Sequence, residues 1–543
     1  MIASLFEFLF LNIWNLLRRA ARPRPRRIGR NEQTALTPGD TVCLGTIVRS
    51  PFAPVDTDVA QPTELRLTTE EKRRHLYLLG PTGVGKTNLL LQLVRADIEQ
   101  RRGVCLIDFR GELIDRALLN LASLYRPEEL KDRLVLIDLR HDDYSVPFNP
   151  LREEAADIYT RTRFLMEVIK QHFEIGVQTE QLLRNSLLAL CGTWSLYELD
   201  VFLSNRDFRN QVLETVNDIS VRRFFARFDQ MDNPSAWVEP VLNKISPFLA
   251  RPVLTNMLAQ LETISFHRLL DRRPDCIILI SLAADQLFGD AHLLGSLLTS
   301  TLISAAMRPD RRDKRGNELA LYLDEFEHFD GLGEQFATIL SEGRKFGLCA
   351  TLSHQTSIQL SPKFRSLIRN VVGTQIFFGV GGGEAETLAA EIASDEPKAV
   401  IRNLLMNQKI GECVVVRRGH PYTRIRTRDC PDPVVQASAV AALRLSALQN
   451  FGTARSQIEA DLAAREAALS SPPPAPVSRG KRSGKTDAAP AAVPGSSAVK
   501  DGESNDTVRM REGAHTILEV REHDDSQDST PARTRRRKGA PPA

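Results

Sequence analysis

The stretch Gly80-Pro81-Thr82-Gly83-Val84-Gly85-Lys86-Thr87 has the spacing G-x-x-x-x-G-K-[ST]. Three glycines let so short a loop turn its backbone N–H groups toward one point, and a helix opening at its end adds a partial positive charge. The guest such a loop suits is a phosphate. Lys86 would reach the β- and γ-phosphates of ATP, the Thr87 hydroxyl would enter the shell of a Mg²⁺ ion, and Asn88 would open the helix that follows. Residues 80–88 are therefore the candidate cofactor-binding residues, with Lys86 also catalytic.

A loop of this kind requires a partner strand ending in acid, and "LALYLDEFEHF" (319–329) has one. Asp324 would complete the Mg²⁺ shell with Thr87, and Glu325 would polarise the attacking water. Two adjacent acids argue for hydrolysis rather than binding alone. Asp108 in "LIDFRGEL" and Asp138 in "LIDLRHDD" also close apolar runs, but no acid directly follows either, so each reads as structural or as a support behind the residues that touch the ligand. Downstream, "SEGRKFGLCATLSHQ" ends a strand on Gln355, placed to sense a γ-phosphate from the neighbouring strand. Arg344 in the same run would reach the nucleotide of an adjacent subunit, where such a finger is worth about 10³–10⁵ in rate.

These residues need a scaffold. Seven continuous apolar runs, beginning near residues 75, 104, 134, 276, 319, 348 and 374, have no polar alternation. Strands of that kind are buried on both faces, as in a parallel sheet covered by helices, so the expected class is α/β with a P-loop domain. Residues 152–265 contain helix-like sequence without a clear strand and predict an all-α insertion. The expected organisation is an anchor and Arg-rich segment at 1–35, the first part of the ATPase domain at 36–151, the insertion at 152–265, the second part at 266–433, a C-terminal helix at 434–469 and a disordered tail at 470–543. That tail is rich in Ala, Pro, Ser and charge and ends in the basic "RTRRRKG".

The chain has 543 residues, a 42% apolar fraction and a formal net charge of +3, so no global basic excess announces nucleic acid. Seven scattered cysteines without a C-x-x-C pair point to a reducing compartment and against a zinc site. Ile2–Leu17 is apolar and is followed by seven arginines among residues 18–30, the reverse of a secretory signal. Its length falls below the ~20 residues a spanning helix needs. It reads as an inner-membrane anchor, spanning or in-plane, with the arginines on the cytoplasmic side; docking on protein is the alternative.

The motifs "RHLYLLGPTGVGKT", "CLIDFRGEL", "VPFNPL", "LYLDEFEHF", "SEGRKFGLCATLSHQ" and "RNVVGTQIFFGV" resemble, in this order, those of type IV secretion coupling proteins. These are the TraD/TraG-like conjugative DNA-transfer ATPases of the HerA/FtsK-like branch of the RecA superfamily. The resemblance covers residues 38–430. It implies a RecA-like domain with an all-α insertion and a homo-hexamer at the inner membrane. It further implies that ATP drives single-stranded or relaxase-bound DNA toward secretion-channel or cargo-complex proteins. By the same resemblance Lys86 and Thr87 are Walker A, Asp324 and Glu325 Walker B, Gln355 the sensor and Arg344 the finger. Many members begin with two spanning helices, whereas one short apolar segment is present here. A soluble HerA-like translocase or helicase and a protein-secretion or assembly motor without DNA are the other readings. Candidate phosphate-gripping residues of a pore are Arg251, Arg272, Arg273, Arg311, Arg312, Lys314 and Arg315.

Overall fold

The computed structural model describes residues 41–48, 64–152, 157–312, 316–392 and 396–470. The expected anchor at 1–35 and the tail beyond residue 470 lie outside the described residues, as do Lys314 and Arg315. Among the described residues no helix is long and apolar enough to cross a membrane.

All seven apolar runs are strands of one sheet. In chain order its strands are β1 (Thr41–Ile47), β2 (Glu64–Thr68), β3 (Leu76–Leu79), β4 (Gly103–Asp108) and β5 (Leu134–Asp138). A two-residue β6 (Tyr144–Ser145) stands apart, and the sheet continues with β7 (Ile277–Ser281), β8 (Leu319–Leu323), β9 (Leu348–His354), β10 (Thr374–Phe378), β11 (Glu412–Arg417) and β12 (Thr423–Thr427). The spatial order is β2-β1-β12-β11-β10-β3-β9-β8-β4-β7-β5. From β10 to β5 every neighbouring pair is parallel. Every residue of β3, β4, β5, β7, β8 and β9 is buried, which is why these segments show no alternation.

The remaining four strands pair antiparallel at the β10 side. Their sequences alternate more, as "TRIRT" does in β12, where Ile425 is buried and Arg426 is exposed. A sheet of this kind gathers ligands at the carboxyl ends of its parallel strands. The P-loop follows β3, Asp324 follows β8 and Gln355 follows β9, the strand between them.

Between β6 and β7 the described chain is helical, from helix Ile158–His172 to helix Phe266–Arg272. Local sequence explains three of the starts: Asp157, Asn205 and Asp218 cap helices through their carboxylate or amide oxygens. In helix Ile219–Phe228 the buried residues Val221, Phe224, Phe225 and Phe228 follow helical spacing; the three phenylalanines pack on one another, and Phe225 meets Phe202 edge-on. The "FNPL" run enters this region through the fully buried Asn149. Its amide donates to Trp194 O at 3.1 Å and accepts from Leu151 N at 3.0 Å. Helix Ile158–His172 packs on helix Gly289–Ala306 and on the 3₁₀ turn Phe326–Leu332 that follows the acidic pair.

One expectation requires correction. The C-terminal segment forms two helices, Ala437–Phe451 and Arg455–Ser470, rather than one. The break falls at Gly452, where an added Cβ would sit 2.6 Å from Leu448 O, and β13 (Thr453–Ala454) then pairs with β6. The first of these helices is pinned to the sheet by Arg444, which pairs with Asp138 and with Asp115; Arg140 binds the same two acids. Asp138, at its strand end, is thereby a structural anchor.

Beneath the sheet Asp97, fully buried, accepts from Lys72 Nζ at 2.5 Å, Tyr322 Oη at 2.6 Å and Arg102 at 3.0 Å. Removing one member of a buried ion group leaves the other charge uncompensated. Asp97→Ala is expected to destabilise the protein by about 3–5 kcal/mol, read from the urea unfolding midpoint; a loss below about 1 kcal/mol would show that the group behaves as an exposed pair does.

Candidate nucleotide-binding site

β3 is a short, wholly buried strand that delivers the chain to the loop, and helix Lys86–Glu99 takes it away. Gly85 has φ 110°, where a side chain is strained, and a Cβ there would stand 3.3 Å from Gly411 Cα. Gly411 N donates to Val84 O at 2.9 Å, so the turn before β11 buttresses the loop from behind. At Gly80 a Cβ would lie 2.7 Å from the Phe378 Cβ at the end of β10. No side chain caps the helix, which leaves its first-turn N–H groups for a ligand.

Lys86 folds back over this loop. Its Nζ donates to Gly80 O at 2.5 Å and Pro81 O at 2.9 Å, loop carbonyls where phosphate oxygens would compete for the same donor. Burial pulls its pKa below the ordinary lysine value, while the charges of Asp324, Glu327 and Glu325 oppose that shift. The acidic strand end therefore lies near enough to the loop for its charge to act on Lys86, one strand away across β9. Burial lifts the Asp324 pKa above the usual carboxylate range, and the Lys86 charge opposes the rise. Among the described residues no group of three His, Cys, Asp or Glu could hold a metal alone. Thr87 and Asp324 suit Mg²⁺, which takes its other ligands from phosphate and water.

Glu325 is held in a left-handed backbone conformation, φ 52°. Its carboxylate accepts from Gln355 Nε2 at 3.3 Å and lies 3.6 Å from Arg110 Nε and 3.7 Å from His328 Nε2. Its pKa is lowered, first by His328 and then, against burial, by Arg110. Gln355 thus reaches the acid from β9.

Other expected residues lie elsewhere. Arg344 sits on the turn Gly343–Phe346 that leads into β9, at the opposite edge of the sheet, half-exposed and paired with Glu70. It does not approach the nucleotide loop of its own chain. The Asn88 side chain is engaged with the segment after β12, donating to Arg428 O at 2.6 Å and accepting from Cys430 N at 2.9 Å. Asp108 caps helix Glu112–Leu124 by accepting from Arg110 N and Leu113 N. Arg311 is buried and donates to Leu270 O and Asn317 O, so it cannot grip a passing phosphate; Arg251 and Arg273 are paired with Asp290 and Asp132.

Sequence patterns do not point to several residues around this edge. Glu327 is close to Lys86, and its Oε2 lies 3.9 Å from His354 Nε2. His354 is fully buried, which together with the Lys86 charge pulls its pKa down to about 4, leaving it neutral. Arg110 and His328 flank Glu325. The available signal was adjacency to motifs already found, in "DFRGEL" and "DEFEHF".

No protein-family model matches the chain. The DNA double-strand break repair helicase HerA of Sulfurisphaera tokodaii is 28% identical over 229 residues, 42% of this chain and 37% of HerA. The chain thus aligns with little more than a third of the length of that curated relative. Among solved structures, the plasmid coupling protein TrwB in complex with ADP and Mg²⁺ superposes with a TM-score of 0.54 at 18% identity, covering 73% of this chain and 96% of TrwB. TrwB with a non-hydrolysable ATP analogue gives 0.54 at 17% identity over 74% and 98%. At such identities the likeness speaks for architecture: the chain has the fold of a plasmid coupling protein.

Proposed function

We propose that this chain is an ATP-hydrolysing DNA motor that couples a DNA or relaxase–DNA substrate to a type IV secretion apparatus at the cytoplasmic face of the inner membrane. It uses ATP and Mg²⁺. The observation that carries the reading is the placement of the Lys86 loop and of Asp324 and Glu325 at the carboxyl ends of β3 and β8, with Gln355 entering from β9 between them. Backbone N–H groups of residues 80–87 and the Lys86 ammonium hold the phosphates. Thr87 and Asp324 hold Mg²⁺, which when bound neutralises charge developing on the phosphoryl oxygens. Glu325 orients and polarises water, and Gln355 keeps the acid directed at it. Complexes of TrwB with ADP and Mg²⁺ support the choice of ligands.

The chain acts as a homo-hexamer, in which Arg344, remote from its own loop, serves the neighbouring subunit. Ile2–Leu17 and its arginines bring the ring to the membrane, and residues 152–265 meet the cargo complex. A soluble HerA-like translocase in repair, integration or defence is the second reading, supported by the 28% identity to HerA.

ATP turnover with single-stranded DNA, with duplex DNA and without either, across salt, tests the reading. DNA is expected to stimulate turnover, single strands most, and the stimulation is expected to fade as salt rises, because phosphate contacts release counterions. Turnover indifferent to both DNAs at low salt would point to a protein motor instead.

A further inference from the structure

Water is polarised only if the Glu325 carboxylate points the right way. We propose that His328 is the positioning residue that aims it, an assignment that rests on the hydrolytic reading above. At φ 52° Glu325 occupies a region that costs a non-glycine residue about 1–3 kcal/mol, so its surroundings must hold it.

The two carboxylate oxygens have different partners. Oε1 accepts from Gln355 Nε2 at 3.3 Å and lies 3.6 Å from Arg110 Nε, groups brought by β9 and β4. Oε2 has His328 Nε2 at 3.7 Å. His328 arrives by a local route: its N–H donates to Glu325 O at 3.1 Å, so the turn Phe326–Leu332 folds the imidazole back over the acid. At 3.7 Å the pair is outside direct hydrogen-bond distance, a gap of the size that active sites close when substrate binds.

The imidazole is walled in. Its ring packs on Phe109, with centroids 4.4 Å apart, and on His292 at 4.5 Å. Phe109 is fully buried and meets His292 edge-on at 5.3 Å and Phe329 at 5.1 Å, so this wall is fixed. Burial, then the neighbouring His328 and His172, hold the His292 pKa below its ordinary value, which favours a neutral ring there. The His328 side chain stays 32% exposed, open to the water the acid would polarise. Two walls and a backbone hydrogen bond fix the ring; only its Nε2 edge is left to act on Glu325. Because helix Ile158–His172 of the insertion packs on this same turn, the insertion touches the element that aims the acid.

The test compares the full chain with His328→Phe, His328→Ala and His328→Gln, measuring steady-state ATP turnover and the equilibrium affinity for a non-hydrolysable ATP analogue. His328→Phe preserves the ring packing without the N–H, so it separates aiming from folding. His328→Phe and His328→Ala are expected to lose about 10- to 100-fold in kcat, with KM and analogue affinity unchanged. His328→Gln, whose amide nitrogen reaches where Nε2 stands, is expected to recover most of the loss. A His328→Phe variant with wild-type kcat overturns the assignment, as does a loss carried by KM or an equal loss in all three variants. A wild-type chain that binds the analogue and never splits ATP overturns the hydrolytic reading instead, and that outcome is distinct from the others.

Discussion

Lys86→Ala is expected to abolish ATP turnover, a fall of at least about 10²–10³, and to leave the fold in place. The size follows from the site: charge developing on the transferred phosphoryl group is stabilised by preorganised donors in a water-poor pocket, where one donor is worth about 2.7–4 kcal/mol. On the proposed reading Lys86 is such a donor: it is only 8% exposed, and the charges of three carboxylates act on it. Its loss also removes the positive charge set against Asp324, Glu325 and Glu327, so binding of a nucleotide that adds further negative charge should weaken. The fold survives because Nζ bonds only to loop carbonyls and ties no element to another. Steady-state turnover and far-ultraviolet circular dichroism check both halves; a mutant with normal turnover would remove the loop from the chemistry.

Glu325→Gln has the second large effect. The substitution keeps size and shape, so Gln355 can still donate to the side-chain oxygen, and the strained backbone gains no new conflict. What disappears is the negative charge that His328 and Arg110 flank and that, on the hydrolytic reading proposed above, polarises water. Turnover should fall by about 10²–10⁴, the range of a general base, while ATP stays bound with near wild-type affinity. Trapping of radiolabelled ATP on the protein, with the product assayed over the same period, reads this out. Rapid cleavage by the variant would take the water-polarising role away from Glu325.

How far these features were legible in the sequence follows from the range of the interactions that make them. "CIILIS" and "CLID" announce strands buried on both faces, because an apolar run without polar alternation has no face turned to water. Helix starts between β6 and β7 are local for the complementary reason, since caps such as Asp157 and Asp218 act within one turn of their own residue. The order of the strands was not, because β9 slips between β3 and β8 although it follows both in the chain.

The same reason hid Arg110 and His292. Arg110 follows β4, and it meets Glu325 only because β4 pairs with β8 in parallel register. His292 belongs to a helix whose own pattern says no more than that it is buried. Arg344 shows the converse. Its motif suggested a finger for an adjacent subunit's nucleotide, and only the fold shows that the end of β9 at which it enters lies opposite its own nucleotide loop. Gly452 parts two helices for a steric reason visible only once Leu448 O and β6 are in place.

The claim on which the rest depends is that one triphosphate is shared by the loop and the acidic strand end, and the structure of Glu325→Gln bound to Mg²⁺ and ATP tests it. Phosphate oxygens should lie within about 2.7–3.2 Å of backbone N–H groups in the loop 80–87, with the Lys86 ammonium moved from its loop carbonyls onto phosphate and Mg²⁺ between Thr87 and Asp324. A triphosphate bound elsewhere would refute the shared site. So would one gripped by the loop while Asp324 and the substituted side chain beside it turn away.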